Sequence, residues 1–265
     1  MQIVENKALL LRTRTPEKYS IIPKHRVLDE VAPGIHEVLV HWGLDEVRVL
    51  RNLGVKKVPS PITTRYEWPG RWRPMAHQVE TAAFLTVNQR AFVLNEPGTG
   101  KTMSALWAAD YLMRAGYVRR VLVLCPMSIM HSAWMNDITS SVVHRSAVVA
   151  HHSKASRRVE MIHGNYDIVI MNYDGLPLVA QEIKRDGRFD LVIVDEASAY
   201  KTATTRRWKS LHGIMTKDTW LWMMTGTPAA QSPLDAYGLA KLVSPSNVPQ
   251  FFGAWRDKVM NKITT

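Results

Sequence analysis

The residues with the most chemical content lie in one run, NEPGTGKT at 95–102. Gly98 and Gly100 leave successive backbone N–H groups free to close around an anion, where a side chain would obstruct the approach. Lys101 then supplies a cation for the β- and γ-phosphates of a nucleotide, and Thr102 a hydroxyl ligand for magnesium. The strict spacing G-x-x-x-x-G-K-[ST] is missed only at its first position, which holds Asn95. A second chemical feature is LVIVDE at 191–196, an apolar run that delivers two carboxylates. Asp195 is suited to hold the magnesium brought in by Thr102, and Glu196 to orient and deprotonate an attacking water. Catalytic roles fall to Lys101 and Glu196, phosphate binding to Gly98, Thr99, Gly100, Lys101 and Thr102, and metal ligation to Thr102 and Asp195. ATP and Mg2+ are the implied cofactors.

Such a cradle needs a strand to enter it and a helix to leave it. Residues 92–94 form a short apolar run suited to a buried strand, while Met103, Leu106, Trp107, Ala109, Leu112 and Met113 recur near helical spacing until Gly116. The helix's positive end then faces the phosphates. Farther on, VLVLC at 121, SAVVA at 146, YDIVIM at 166, FDLVIVD at 189 and WLWMMTGT at 220 alternate with helical stretches. Runs apolar on both faces, separated by crossover-length connections, predict an α/β fold with a mainly parallel sheet covered by helices on both sides. Ligands of such sheets bind beyond the carboxyl ends of the strands. Residues 1–66 read as a small α+β accessory unit. It has strands at 8–11 and 36–42 and a helix whose face is Leu44, Val47, Leu50 and Leu53, stopped by Gly54. A proline-rich joint, VPSPI at 58–62, closes that unit, so the expected division is 1–66 and 67–265.

Composition narrows the setting. The 265 residues are 46% hydrophobic, enough for a sizeable core. The longest apolar run is too short to span a bilayer, and the first ten residues do not resemble a secretory signal. Cys125 is the only cysteine, which excludes an intrachain disulfide and a cysteine-rich zinc site. These features describe a soluble protein of a reducing compartment, the cytoplasm, with the nucleus left open and no membrane partner. His151 and His152 lack a metal-ligand spacing and read as surface residues. A net charge of +11 favours a polyanionic partner. That surplus is spread along the chain: residues 1–66 hold 11 Lys and Arg against 7 Asp and Glu, without a polybasic arm. No internal repeat or low-complexity tract is present.

The order of these motifs resembles the first motor lobe of a superfamily 2 helicase, closest to its Swi/Snf-like branch, over about residues 72–260. NEPGTGKT is similar to that branch's DEMGLGKT, and DEAS at 195–198 to its DEAH box, with Ser198 in place of the histidine. TGTP at 225–228 matches motif III. RPMAHQ at 73–78 resembles the glutamine motif, although its spacing differs from the common P-x-Q form. LVLCPMSIMHSAW at 122–134 is similar to motif Ia, and IMNY at 170–173 to the segment after it. The resemblance implies a RecA-like P-loop NTPase lobe in which the Gln78 amide reads the adenine edge. Ser198, Thr225 and Thr227 would couple the nucleotide site to lobe movement. Pro126, Trp134, Asn172 and Tyr173 would contact a nucleic-acid backbone, expected to be double-stranded DNA.

Motors of this kind need a second lobe carrying later motifs and arginine fingers. The chain is therefore expected to be a single-lobe or truncated protein that hydrolyses ATP slowly by itself, with its second lobe in cis or in a parent protein. Two other classes fit part of the pattern. A non-catalytic nucleic-acid-binding or regulatory module would keep nucleotide affinity without turnover. A small-molecule P-loop kinase would use the same cradle but would not need Gln78, Asp195-Glu196 and 225–228 in this order. If the basic surface tracks phosphates, affinity for double-stranded DNA measured across a salt series should fall steeply and depend little on sequence; a flat response would remove that surface.

Overall fold

A computed structural model describes residues 1–229 and 231–260, so residue 230 and the last five residues of the expected 67–265 division lie outside the described residues. The chain forms two compact units, one of Met1–Glu67 with Ala82–Val87 and one of Trp68–Thr81 with the residues from Asn88 onward.

The first unit is a four-stranded antiparallel sheet of β1 (Gln2–Val4), β2 (Ala8–Thr13), β3 (His25–Ala32) and β4 (Ile35–His41), in the order β1-β2-β4-β3. Leu9 and Leu11 pair with Val40 and Val38, and all four are buried. Helix α1 (Leu44–Asn52) buries Leu44, Val47 and Leu50 on the expected face, and Leu53 is half-buried just past its end. A short helix, α2 (Ile62–Arg65), follows. Strands β1 and β3 carry little sequence signal: β3 is almost wholly exposed, so no alternation of apolar and polar residues marks it. Its hairpin to β4 turns at Pro33-Gly34, with Gly34 at a φ of +71°. Helix α3 (Ala76–Val87) contributes its last six residues to this unit, where the Thr86 hydroxyl meets that of buried Ser60 at 2.7 Å.

The second unit contains, in chain order, β5 (Arg90–Val93), α4 (Lys101–Arg114), β6 (Arg120–Cys125), a π-helical turn (Met130–Met135) running into α5 (Asn136–Ser141), and β7 (Ala147–Val149). It continues with α6 (Ala155–His163), β8 (Ile168–Asn172), α7 (Leu176–Asp186), β9 (Phe189–Val194), α8 (Arg206–Ile214), β10 (Trp220–Met224), α9 (Ala236–Val243) and α10 (Phe252–Met260). All five strand pairings are parallel, in the order β5-β10-β9-β6-β8-β7. Helices flank the sheet, and the central strands are buried on both faces, as their continuous apolar runs imply. Leu122, Leu124, Val169, Met171, Val192 and Val194 share one core cluster with α7, α8 and α9. The alternating residues Val121, Val123, Ile170, Ile193 and Trp222 are equally buried.

The amino edge of this sheet is tied by charge. Arg120, at the start of β6, reaches Asp186 at the end of α7 at 3.2 Å, with both side chains buried. Arg120 also donates to the carbonyls of Ile162 and Tyr166. Arg188 donates to both oxygens of Asp186. Burial acts to raise the Asp186 carboxyl, but the hydrogen bonds from Arg188 and the charges of Arg120 and Arg188 outweigh it and hold the group below the ordinary carboxylate range. A carboxyl lowered on folding stabilises fully above its unfolded value, near pH 4, and loses that contribution as pH falls through the folded value. Asp186→Asn should therefore cost about 3 kcal/mol at neutral pH, as expected when one partner of a buried ion pair is removed. It should also flatten the acid limb of the stability curve. Denaturant titrations between pH 7 and pH 3 check this, and coincident curves for wild type and variant would contradict it.

Candidate nucleotide site

Parallel strands end at one edge, and the loops leaving β5, β9 and β10 meet there because those strands are neighbours. The phosphate loop runs from β5 to α4, with Gly98 at a φ of +80° and Gly100 at +72°. These left-handed values favour glycine. At Gly100 the space is also taken, since a Cβ there would lie 2.1 Å from Nε2 of Gln78. Gln78 is buried against the loop: its Oε1 accepts from the Met75 N–H at 2.9 Å, and its Nε2 faces the Thr99 carbonyl at 3.5 Å. His77 Nε2 meets the same carbonyl at 3.0 Å, a loop contact that the motif itself does not specify. Asn95, in the position of the missing glycine, donates from its amide to Thr81 Oγ1 at 3.0 Å.

The Lys101 ammonium lies within the loop, donating to the carbonyls of Asn95 at 2.9 Å and Glu96 at 3.0 Å. Thr102, in the first turn of α4, is half-buried, and Thr99 Oγ1 donates back to Glu96 O at 2.8 Å. The neighbouring strand straps this loop in place. The Thr225 N–H, past the end of β10, donates to Val93 O at 3.0 Å, and a Cβ on Gly226 would lie 3.0 Å from the ring of Pro97. Thr225 is buried, Thr227 is exposed, and the Thr227 N–H donates to Thr225 Oγ1 at 3.2 Å.

Asp195 and Glu196 emerge from β9 beside this loop. Burial pushes the Asp195 carboxyl up, while hydrogen bonds from Trp134 and the Glu196 N–H and the charge of Lys101 pull it partly back. The same Asp195 charge, second to burial, raises the carboxyl of Asp137. Glu196 adopts a φ of +46°, a left-handed conformation that costs a residue with a Cβ roughly 1–2 kcal/mol. Its side chain is exposed and lines a cavity of about 370 Å³ together with Pro126, Tyr173, Ser198, Lys201 and Thr227.

The residues expected on a nucleic-acid surface separate. Pro126 is half-buried at the cavity, as is Ser198. Trp134 is fully buried, and its indole N–H donates to Asp195 Oδ2 at 3.0 Å. Tyr173 is buried too, its hydroxyl donating to the Asp195 carbonyl and facing the Glu196 carbonyl at 3.4 Å. Asn172 is buried at the end of β8. The side chains of Trp134 and Tyr173 thus support the carboxylate turn, and Tyr173 also lines the cavity. An indole N–H has to find an acceptor when buried, which is the sequence-level signal that could have paired Trp134 with an acid.

The donor set fits a magnesium nucleotide. Mg2+ is commonly held by one or two protein oxygens plus phosphates, and Thr102 with Asp195 supplies such a pair. No cluster of three or more His, Cys, Asp or Glu that could hold a metal alone occurs among the described residues. Gly100→Ala should lower stability by about 1–2 kcal/mol from its φ alone, with a further loss from displacing Gln78. Adding Gln78→Ala should recover only the second part. Denaturant melts of the two single variants and the double variant measure the coupling, and strictly additive losses would show that Gln78 does not pack on Gly100.

Residues 77–265 match the SNF2-related domain family. An uncharacterized ATP-dependent helicase, YqhH of Bacillus subtilis (strain 168), is 27% identical over 179 residues, covering 66% of this chain and 30% of that protein. The Caenorhabditis elegans homolog of SWI/SNF-related matrix-associated actin-dependent regulator of chromatin subfamily A-like protein 1 is 25% identical over 197 residues, or 73% of this chain and 27% of that protein. The chain thus spans under a third of the length of these curated relatives. Among solved structures, the Sulfolobus solfataricus SWI2/SNF2 ATPase core in complex with dsDNA superposes with a TM-score of 0.59 at 18% identity, over 72% of this chain and 40% of that one. That likeness is one of fold. With the family match covering most of the sequence and this fold carrying the loop, strand-end acids and TGTP turn at one edge, the chain belongs to the SNF2-related domain family.

Proposed function

We propose that residues 67–265 form the ATP-binding lobe of a nucleic-acid-dependent ATPase, a helicase or a double-strand translocase or remodeller, with residues 1–66 as an accessory unit. The observation that carries this reading is the gathering of Lys101, Asp195, Glu196 and the 225–227 turn at the carboxyl edge of three adjacent strands. Lys101 would exchange its loop carbonyls for phosphate oxygens, and the N–H groups around Gly98 and Gly100 would close on the same anion. Mg2+, held by Thr102 and Asp195, would supply neutralising charge on the phosphates. Glu196, exposed at the cavity, would orient water and take its proton. Gln78 packs on the loop and would report adenine to it. Ser198 and Thr227 line the cavity, and the Thr225 N–H holds the strand that enters the loop, which suits a coupling role.

Double-stranded DNA is the proposed partner, supported by the net charge of +11 and by the dsDNA held in complex by the similar Sulfolobus solfataricus core. A second motor lobe would complete the site, as the resemblance implies, and residues 1–265 assayed alone are proposed to turn ATP over slowly. No helix among the described residues is long and apolar enough to cross a membrane, and an intracellular or nuclear setting follows from the proposed partner. Binding of a fluorescent ATP analogue should be lost in Lys101→Ala. Glu196→Gln should keep near-wild-type affinity and lose most DNA-stimulated turnover, because the amide keeps the shape but cannot act as a base. Equal nucleotide affinity in wild type and Lys101→Ala would sink the proposal.

A further inference from the structure

Two side chains that the reaction does not require as reactants converge on the Asp195-Glu196 turn from the neighbouring side of the sheet. Trp134 lies in the π-helical turn after β6, and Tyr173 directly follows β8. The indole N–H of Trp134 donates to Asp195 Oδ2 at 3.0 Å, and Oδ1 of the same carboxylate accepts from the Glu196 N–H at 3.0 Å. Each oxygen thus has a fixed donor, which sets the carboxylate plane. The Tyr173 hydroxyl donates to the Asp195 carbonyl and faces the Glu196 carbonyl, and so grips the backbone where Glu196 takes its left-handed conformation. Tyr173 is itself braced edge-on by Tyr200 at 5.6 Å between ring centroids. The Arg207 guanidinium covers it at 5.7 Å, held in turn by Asp174 at 2.7 Å.

Resting on the ATPase reading above, we propose that Trp134 and Tyr173 are positioning residues with divided tasks: Trp134 orients the Asp195 carboxylate toward magnesium, and Tyr173 fixes the backbone turn that presents Glu196 to water. The division follows from what each touches. Trp134 contacts the side chain of a residue that would hold magnesium, whereas at this turn Tyr173 contacts only main-chain carbonyls. Groups that hold a metal ligand in this way commonly contribute tenfold to a hundredfold to metal affinity or activity. A π-helical turn is a common means of redirecting a side chain at such places, and here it precedes the regular helix α5.

A merely structural role for both residues predicts a different pattern, which Tyr200→Phe can calibrate. The Tyr200 hydroxyl is buried with no hydrogen-bond partner among the described residues, so its removal perturbs the same aromatic cluster without touching the turn. Affinity for a fluorescent ATP analogue would be measured with Mg2+ and with EDTA, and DNA-stimulated turnover recorded for wild type, Trp134→Phe, Tyr173→Phe and Tyr200→Phe. Trp134→Phe should reduce the Mg2+-dependent gain in affinity about tenfold or more while leaving affinity in EDTA unchanged. Tyr173→Phe should leave both affinities near wild type and lower kcat about tenfold or more at unchanged KM. Tyr200→Phe should match wild type in all of these. If Trp134→Phe and Tyr173→Phe both behave like Tyr200→Phe, the positioning roles are overturned. Wild type that fails to bind the analogue at all would instead overturn the ATPase reading on which they rest.

Discussion

Every strand of the large sheet runs the same way, and the rest of the second unit follows from that constraint. A parallel pair cannot be joined by a tight turn, so each return requires a crossover, and each crossover covers a face of the sheet. The strands must then be apolar on both sides, which accounts for the fully buried β6, β8 and β10. All carboxyl ends fall at one edge. Polar residues that would be out of place inside the sheet collect there, where loops can satisfy them.

That edge is buried enough to make its carboxylate expensive. Asp195 is withdrawn from water beside Lys101, and its charge must be held by donors close at hand. Trp134 and the Glu196 N–H provide them. The lysine faces the converse problem and rests on two loop carbonyls. The contacts of the lysine are ones that an anionic ligand could replace, whereas the donors on Asp195 hold its carboxylate in place. The opposite edge shows the alternative solution: the buried Asp186 carboxylate is held by the side chains of Arg120 and Arg188.

Much of the site was legible before the fold because its chemistry is local. The glycines, Lys101 and Thr102 act within one loop, so their spacing alone carries the geometry, and the left-handed angles at Gly98 and Gly100 agree with it. The DE pair was legible because it terminates an apolar strand. Strands β1 and β3 were not, since a strand exposed on both faces leaves no periodic pattern. The contacts of Trp134 and Tyr173 with the acidic turn were not legible for a related reason: an aromatic residue after a strand has the same sequence pattern whether it faces solvent or turns inward.

The sequence by itself determined the α/β class, the phosphate loop, the acidic strand end and the basic surplus, all properties of residue type and short-range spacing. Tertiary structure decided the strand order, and with it which loops are neighbours. Placing β10 between β5 and β9 brings the Thr225 turn onto Val93 and Gly226 against Pro97, across more than a hundred residues of chain. It also decided that Trp134, sixty-one positions from Asp195, would be its hydrogen-bond donor. Such pairings are set by which crossover packs where on the sheet, a choice made by the summed burial of many side chains and recorded in no single segment.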